Sequence, residues 1–280
     1  MAYIFKFPAE VRTNAQGNQV LANFHHYCIS LSDVWVTIDW SGLNYMDANL
    51  SAVLLAMTYR LKKERGLKFF LNAQDLKGPL SIFWRNGLAH YIYNTNKKPD
   101  DERDSTIPIK AFKIADVDKF AEFIERDLLK HRGLDNVKFT DKEKVKGSYF
   151  EIFNNIEIHA KTQAPLFACG QLFPKQNQVI FTLVDLGVGF LHNVKAFTAE
   201  TEKIVKAEDA INWAIKGNST KEEASGGTGL KKILFYCMKN NGKFHIVSDD
   251  CYWQFDGAIN HTRINNPFVG ATIHLIFSYN

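Results

Sequence analysis

The sequence predicts an α/β protein of two domains, the second α+β in character, and three observations carry that prediction. At 280 residues the chain is long enough for two ordinary cores. Residues 34–72 read strand, helix, strand with short connections, the pattern of a βαβ unit. Toward the C-terminus a glycine-rich segment and a helix give way to consecutive strands.

The elements follow in order. In VWVTIDW, residues 34–40, Val34, Val36, Ile38 and Trp40 alternate with Trp35, Thr37 and Asp39, the period of a strand. Leu50, Val53, Leu54, Met57 and Leu61 then recur at helical spacing, and Gly66 follows a basic last turn as a helix stop. A second strand covers residues 68–72, and residues 79–93, with proline near the start, read as one further helix. Residues 94–106 (NTNKKPDDERDST) are polar and fit a domain boundary or a surface loop, of which the loop is the preferred reading. A short strand at 107–112 and a helix marked by Val117, Phe120, Ala121, Ile124 and Leu128 are expected to connect the domains. The division is placed at 1–133 and 134–280. The second domain opens with a helix near residues 145–160, continues through a strand at 178–185, a long polar stretch and a helix from Leu230, and closes with a strand at 271–278.

A net charge of +4, with lysines and arginines interspersed among acids, gives no basic block, so nucleic-acid binding is not indicated. Cys28, Cys169, Cys237 and Cys251 are scattered without metal-type spacing and read as reduced, buried thiols. The first ten residues have no leader-like apolar core and no span reaches membrane length, so a cytoplasmic, soluble protein is expected.

Three motifs carry candidate chemistry. On the helix at 145–160, Tyr149, Ile152, Phe153, Ile156 and Ala160 form the packing stripe, while Glu151, Asn155 and His159 lie off it, one turn apart. An amide oxygen at Asn155 suits Mg²⁺ and the carboxylate of Glu151 suits proton abstraction; a solvated helix flank is the alternative. The strand at 178–185 ends in Asp185, followed by Gly187 and Gly189. Its carboxylate can accept from an exocyclic amine and the glycines leave room for a ligand, unless this is an ordinary strand-to-turn junction. Ser225, Gly226, Gly227, Thr228, Gly229 and Leu230 run directly into a helix. Free amides there suit phosphate; a flexible linker is the competing reading. Lys231 and Lys232 do not have Walker spacing.

The order of these motifs resembles the GHKL (Bergerat) ATP-binding fold, a two-layer α/β sandwich. EIFNNIEIHA (151–160) is similar to its N box, DLGVG (185–189) to the first glycine box, GGTGL (226–230) to the second and GATIHLIF (270–277) to the last strand. The resemblance implies ATP and Mg²⁺ as cofactors, with Asn155 as the metal ligand and Glu151 as base. It further implies Asp185 and the supporting Thr272 at the adenine, Gly187 and Gly189 beside the nucleotide, and Gly227, Thr228 and Gly229 at the phosphates. Residues 190–225 would be the lid, and GNSTK (217–221) resembles the anti-sigma kinase lid, with Thr220 and Lys221 able to reach the terminal phosphate. His159 and Leu230 fall within the same boxes. Residues 1–133 resemble a STAS-like domain through VWVTIDW, NYMDANLSAVLLAM and LKFFL. The phosphoacceptor serine of that family is displaced here: Asp47, Ala48, Asn49 and Leu50 precede Ser51.

Three functions fit: an ATP-hydrolysing switch whose lid controls a protein partner, a serine/threonine kinase acting on a separate protein, and a non-catalytic ATP-dependent assembly module. The expected partners are ATP and a protein of unassigned identity, with a homodimer open as well.

Overall fold

A computed structural model describes residues 2–95, 97, 100–134, 142–220 and 228–279, and has mixed helix and strand in parallel and antiparallel sheets. The chain opens with β1 (Tyr3–Lys6), β2 (Glu10–Val11), α1 (Ala15–Ile29), β3 (Trp35–Asp39), β4 (Tyr45–Met46), α2 (Ser51–Arg65) and β5 (Lys68–Leu71). Strands β1, β3 and β5 form a parallel three-stranded sheet in the order β1-β3-β5, and β2 pairs β4 separately. The expected βαβ unit is β3-α2-β5. Gly66 ends α2 with φ 63°, the left-handed conformation a helix stop uses.

Beyond β5 the expected helix at 79–93 is not continuous. It breaks into α3 (Ile82–Arg85) and α4 (Leu88–Ile92) at Gly87, whose φ is 95°. Asn86 fixes the break, because its side-chain oxygen accepts from Leu88 N–H at 3.0 Å while its amide donates to Ser51 Oγ at 2.8 Å.

The remaining elements are β6 (Thr106–Phe112), α5 (Val117–Phe123), α6 (Lys142–His159), β7 (Leu166–Phe173), β8 (Gln178–Asp185), α7 (Gly189–Phe197), α8 (Ala207–Ile215), α9 (Thr228–Lys239), β9 (Lys243–Phe255) and β10 (Ile259–Ser278). Five strands form an antiparallel sheet in the order β6-β7-β8-β10-β9. The strand and helix expected to connect the domains belong to this second unit. β6 pairs with β7, and Phe112, Phe120, Phe123 and Leu128 enter the core that Tyr149 and Phe181 share. By strand pairing, β6 is part of the large sheet, although the sequence reading groups residues 107–112 with the first domain.

Alternation along the strands gives the large sheet two apolar faces. Phe181, Leu183, Ile273 and Leu275 pack under α6, α8 and α9 with Tyr149, Ile152, Ile211 and Ile233. Phe167, Cys169, Val184 and Val247 face the other way and join the core of α1 and α2. The layers thus run small sheet, α1 and α2, large sheet, outer helices. Helix α2 lies between two sheets, which is why residues Ser51 to Thr58 are buried on every side.

Polar side chains cross this interface as well. Asn49 donates to Thr182 Oγ1 at 2.8 Å, and Thr182 Oγ1 lies 2.8 Å from His274 Nδ1. The backbone N–H of Ala48 donates to Gln171 Oε1, and Asn265 N–H donates to Gln19 Oε1 at 2.7 Å. All four cysteines are free and buried, and burial pushes the thiols of Cys28, Cys237 and Cys251 up to about 12, so they stay protonated. No described helix is long and apolar enough to cross a membrane.

Candidate functional site

A cavity of about 770 Å³, counting its open mouth, lies between the large sheet and the helices α6, α7, α8 and α9. Its floor is the end of two adjacent strands. Asp185 closes β8, and Ala271 stands directly opposite it on β10, followed two residues later by Ile273 on the same face. The walls bring in Asn155 and His159 from α6, Phe190 and Asn193 from α7, Trp213 from α8, and Gly229 and Leu230 from the first turn of α9.

Asp185 is 6 % exposed, and burial raises its carboxyl from 3.8 to about 6. Its Oδ1 accepts from Gly187 N–H at 2.8 Å, which holds the group in place and offsets part of that rise. A buried carboxyl that lines a cavity has lone pairs beyond those its backbone partners Gly187 and Ala271 engage, and can accept from a ligand donor.

The glycines at this strand end have a different reason to exist than ligand access. A Cβ on Gly187 would lie 2.2 Å from the carbonyl oxygen of Ala160, and one on Gly189 would lie 2.7 Å from Ser248 Oγ. The turn lodges against the end of α6, where Val188 N–H donates to Ala160 O at 3.0 Å. Gly189 takes φ 75°, a conformation glycine adopts without strain. Gly189 lines the cavity; Gly187 does not, so the room beside it is filled by protein.

The helix termini at the cavity also differ. Phe190 N–H donates to Ser248 Oγ at 3.1 Å and Leu191 N–H to Asp249 Oδ2 at 3.2 Å, so side chains satisfy the first amides of α7. Burial raises the carboxyl of Asp249, and its hydrogen bonds to Ser248 and Leu191 pull it back. Helix α9 instead brings Gly229 and Leu230 to the cavity wall at its first turn, where helix amides attract anions.

His159 ties three elements together. Its Nδ1 lies 3.1 Å from Thr220 Oγ1, and its carbonyl accepts from Asn193 Nδ2 at 2.7 Å. Residues 190–220, read from the sequence as a polar stretch, contain α7 and α8, and α8 buries Ala207, Ala210, Ile211 and Ile215. The described part of the expected lid is a packed wall that brings Thr220 to the cavity rim.

The chain matches no protein-family model and no curated protein sequence.

Of the residues the sequence singled out, Asn155, His159, Asp185, Gly189, Thr220, Gly229 and Leu230 converge on this one cavity. Thr272 does not. It pairs with Val184 and shares a face with His274, toward α1, so its buried hydroxyl is on the opposite side of the sheet from Asp185. The residue opposite Asp185 is Ala271, one position earlier. Glu151 is also set apart. Its side chain lies against Gly229, where a Cβ would come within 1.9 Å of Glu151 Cγ, and it faces a second groove. Lys221 and Gly227 fall outside the described residues, and of Thr228 only the backbone start of α9 is described.

Phe190, Asn193, Trp213 and Asn218 were not singled out from the sequence. Asn218 Nδ2 donates to Trp213 O at 3.0 Å, which fixes the cavity rim next to Thr220. The helical period of Ala207, Ala210, Ile211 and Ile215 was the available signal for this wall.

Proposed function

We propose that this protein binds Mg·ATP in the cavity that Asp185 floors, and uses slow hydrolysis and movement of the wall near Thr220 to control a protein partner. The observation that carries the reading is the buried carboxylate of Asp185, held by backbone N–H groups that include those of Gly187 and Ala271 and lining the cavity together with Asn155. An ionised carboxylate accepts the exocyclic amine of adenine. The first turn of α9 supplies main-chain amides for phosphate.

The order of motifs resembles GHKL ATPases, and the geometry supports that likeness at Asn155, Asp185 and Gly229. It departs at Thr272, which faces away, and at Gly187, which packs against Ala160. Among the described residues no group of three or more His, Cys, Asp or Glu could hold a metal ion. In this reading Mg²⁺ is bound through nucleotide phosphates, water and the amide oxygen of Asn155, which lines the cavity. The metal would neutralise phosphate charge; this chain's part is to orient the base, the phosphates and the metal ligand.

The likeness of the N-terminal half to STAS-like domains carries no phosphoacceptor role. Ser51 is fully buried and its hydroxyl accepts from Asn86. Asp47 is engaged by Thr13 N–H at 2.6 Å and Thr13 Oγ1 at 2.9 Å. In this reading the N-terminal layer supports the sheet that carries the site.

Titration calorimetry of the intact chain with ATP, with and without magnesium, tests the proposal. Saturable uptake that is tighter with magnesium is expected, and Asn155→Ala should remove the magnesium dependence while leaving weaker magnesium-free uptake. Absence of uptake by the folded chain overturns the reading. Phosphate release measured alongside separates the hydrolytic switch from a module that only assembles. A protein kinase of the anti-sigma type is the second reading, and the position of Glu151 outside the cavity favours it.

A further inference from the structure

Hydrolysis needs a group that takes a proton from water, and the carboxylate the sequence offers for it, Glu151, lines the second groove and not the cavity. Among the described residues that line the cavity, His159 and Asp185 are the two that exchange a proton near neutral pH, and none is a lysine, arginine or glutamate. Backbone N–H groups of Gly187 and Ala271 hold Asp185 at the strand end, where the nucleotide reading gives it the adenine. His159 is the proton acceptor that reading leaves unassigned.

The fold holds this imidazole from two sides. Asn193 on α7 donates to the His159 carbonyl at 2.7 Å and anchors the backbone, while Thr220 Oγ1, 3.1 Å from Nδ1, fixes the half-buried ring. A base oriented by a further group is the arrangement that activates a nucleophile. Asn155 and His159 stand one turn apart on α6 and both line the cavity, which puts their Cβ atoms about 5–6 Å apart. A proton acceptor therefore stands beside the oxygen assigned to the metal of the nucleotide phosphates. We infer that His159 is the general base of ATP hydrolysis in this protein and that Thr220 is its positioning residue, which ties proton transfer to the position of the wall at Thr220. The inference rests on the nucleotide reading and names the base and the regulation of its reaction.

The step balances with water as the second reactant. The water oxygen attacks the γ-phosphorus of ATP as one of its protons passes to the neutral imidazole. The bond from that phosphorus to the β,γ-bridging oxygen breaks, and ADP leaves with the electron pair. The imidazolium then releases the proton to solvent. Imidazole suits the task because the free group titrates at about 6.5, close to the working pH.

Phosphate release by the intact chain at saturating Mg·ATP, followed across pH beside calorimetric ATP affinity, tests the inference. The rate should climb with pH and level off once the imidazole is neutral. Asp185 titrates in the same window but acts through ATP affinity, which saturation removes. His159→Gln should lower kcat about a hundredfold and flatten the climb, with ATP affinity within about twofold. Glu151→Gln should leave kcat within about twofold. Thr220→Val should lower kcat several-fold at unchanged affinity, and Thr220→Ser should restore it. A readout independent of turnover is the NMR titration of the His159 ring, assigned by its absence from His159→Gln. The non-hydrolysable imido analogue of ATP with magnesium should raise the pH at which that ring titrates, because a nearby phosphate favours the imidazolium. Circular dichroism checks that each variant is folded. ATP uptake without phosphate release, native turnover in His159→Gln, loss of turnover in Glu151→Gln, or a ring indifferent to the analogue overturns the inference and leaves the nucleotide site standing. Absence of ATP uptake overturns both.

Discussion

Asn49 on the N-terminal layer donates to Thr182 on β8 at 2.8 Å, three residues before the carboxylate of Asp185. Both groups are fully buried, and Thr182 passes the contact on to His274 on β10. The two strands that floor the cavity are therefore held from behind by a polar chain that begins at the tip of α2.

The first prediction concerns that bond. Asn49→Ala leaves Thr182 short of a partner in a place water does not reach, which is worth about 1–3 kcal/mol. Urea unfolding should show that loss in a single transition covering both sheets, because the core of α1 and α2 includes residues of the large sheet. Two separated transitions, or a loss below about 0.5 kcal/mol, would count against a shared structural unit.

The second concerns Asp185 and pH. Its carboxyl titrates near 6 in the folded chain against 3.8 as a free group, so the native state holds a proton that the unfolded chain has released. Stability from this group is complete below about pH 4, falls as pH rises toward 6, and stays lower above it, by roughly 3 kcal/mol. Asp185→Asn keeps an acceptor for Gly187 N–H and removes the titration. The variant should gain stability over the native protein as pH rises from 4 to 7, measured by denaturant midpoints at each pH. A constant difference across that range would contradict the buried carboxylate.

The third concerns the turn after β8. Gly187→Ala drives a methyl into the carbonyl of Ala160, which ends α6 beside His159. Overpacking of this kind destabilises by about 1–3 kcal/mol. Hydrogen exchange should rise at the amide of Val188, which donates to that carbonyl. Unchanged protection there would show that the turn has room.

Much of this architecture is legible in the residues. The alternation in VWVTIDW gives β3, the basic turn before Gly66 gives the end of α2, and the stripe Tyr149, Ile152, Phe153 gives α6. Helix α1 is not, because AQGNQVLANFHHYCI places asparagine, histidine and glycine at buried positions: Asn18 lies 3.5 Å from His274 and Gly17 packs on the Arg12 backbone. Strand β7 escapes for a related reason. LFACGQLF is covered on both faces and shows no alternation. The extent of β10 is hidden as well, since Asn260, His261, Thr262 and Arg263 pair only with β9 and read as a polar loop.

The candidate site was legible where chemistry and period coincide, at Asn155, Asp185 and Gly229, all of which meet at the cavity. It was misread where a single residue of register decides the face. Thr272 is one position from Ala271, and that one step turns it to the far side of the sheet. Glu151 is one helical turn from Asn155, yet Gly229 stands against it and the two open into different spaces. Neither distinction is visible without the pairing of strands and helices.

Comparing ATP with inosine triphosphate tests the central claim most directly, because the two differ where adenine carries its amine and hypoxanthine a carbonyl. With Asp185 accepting that amine, calorimetry at pH 7.5 should give ATP an advantage of roughly 10–100-fold, the worth of a hydrogen bond to a charged group, and Asp185→Asn should erase most of it. Equal affinity of the native chain for both nucleotides, or an unchanged ratio in Asp185→Asn, would contradict the account.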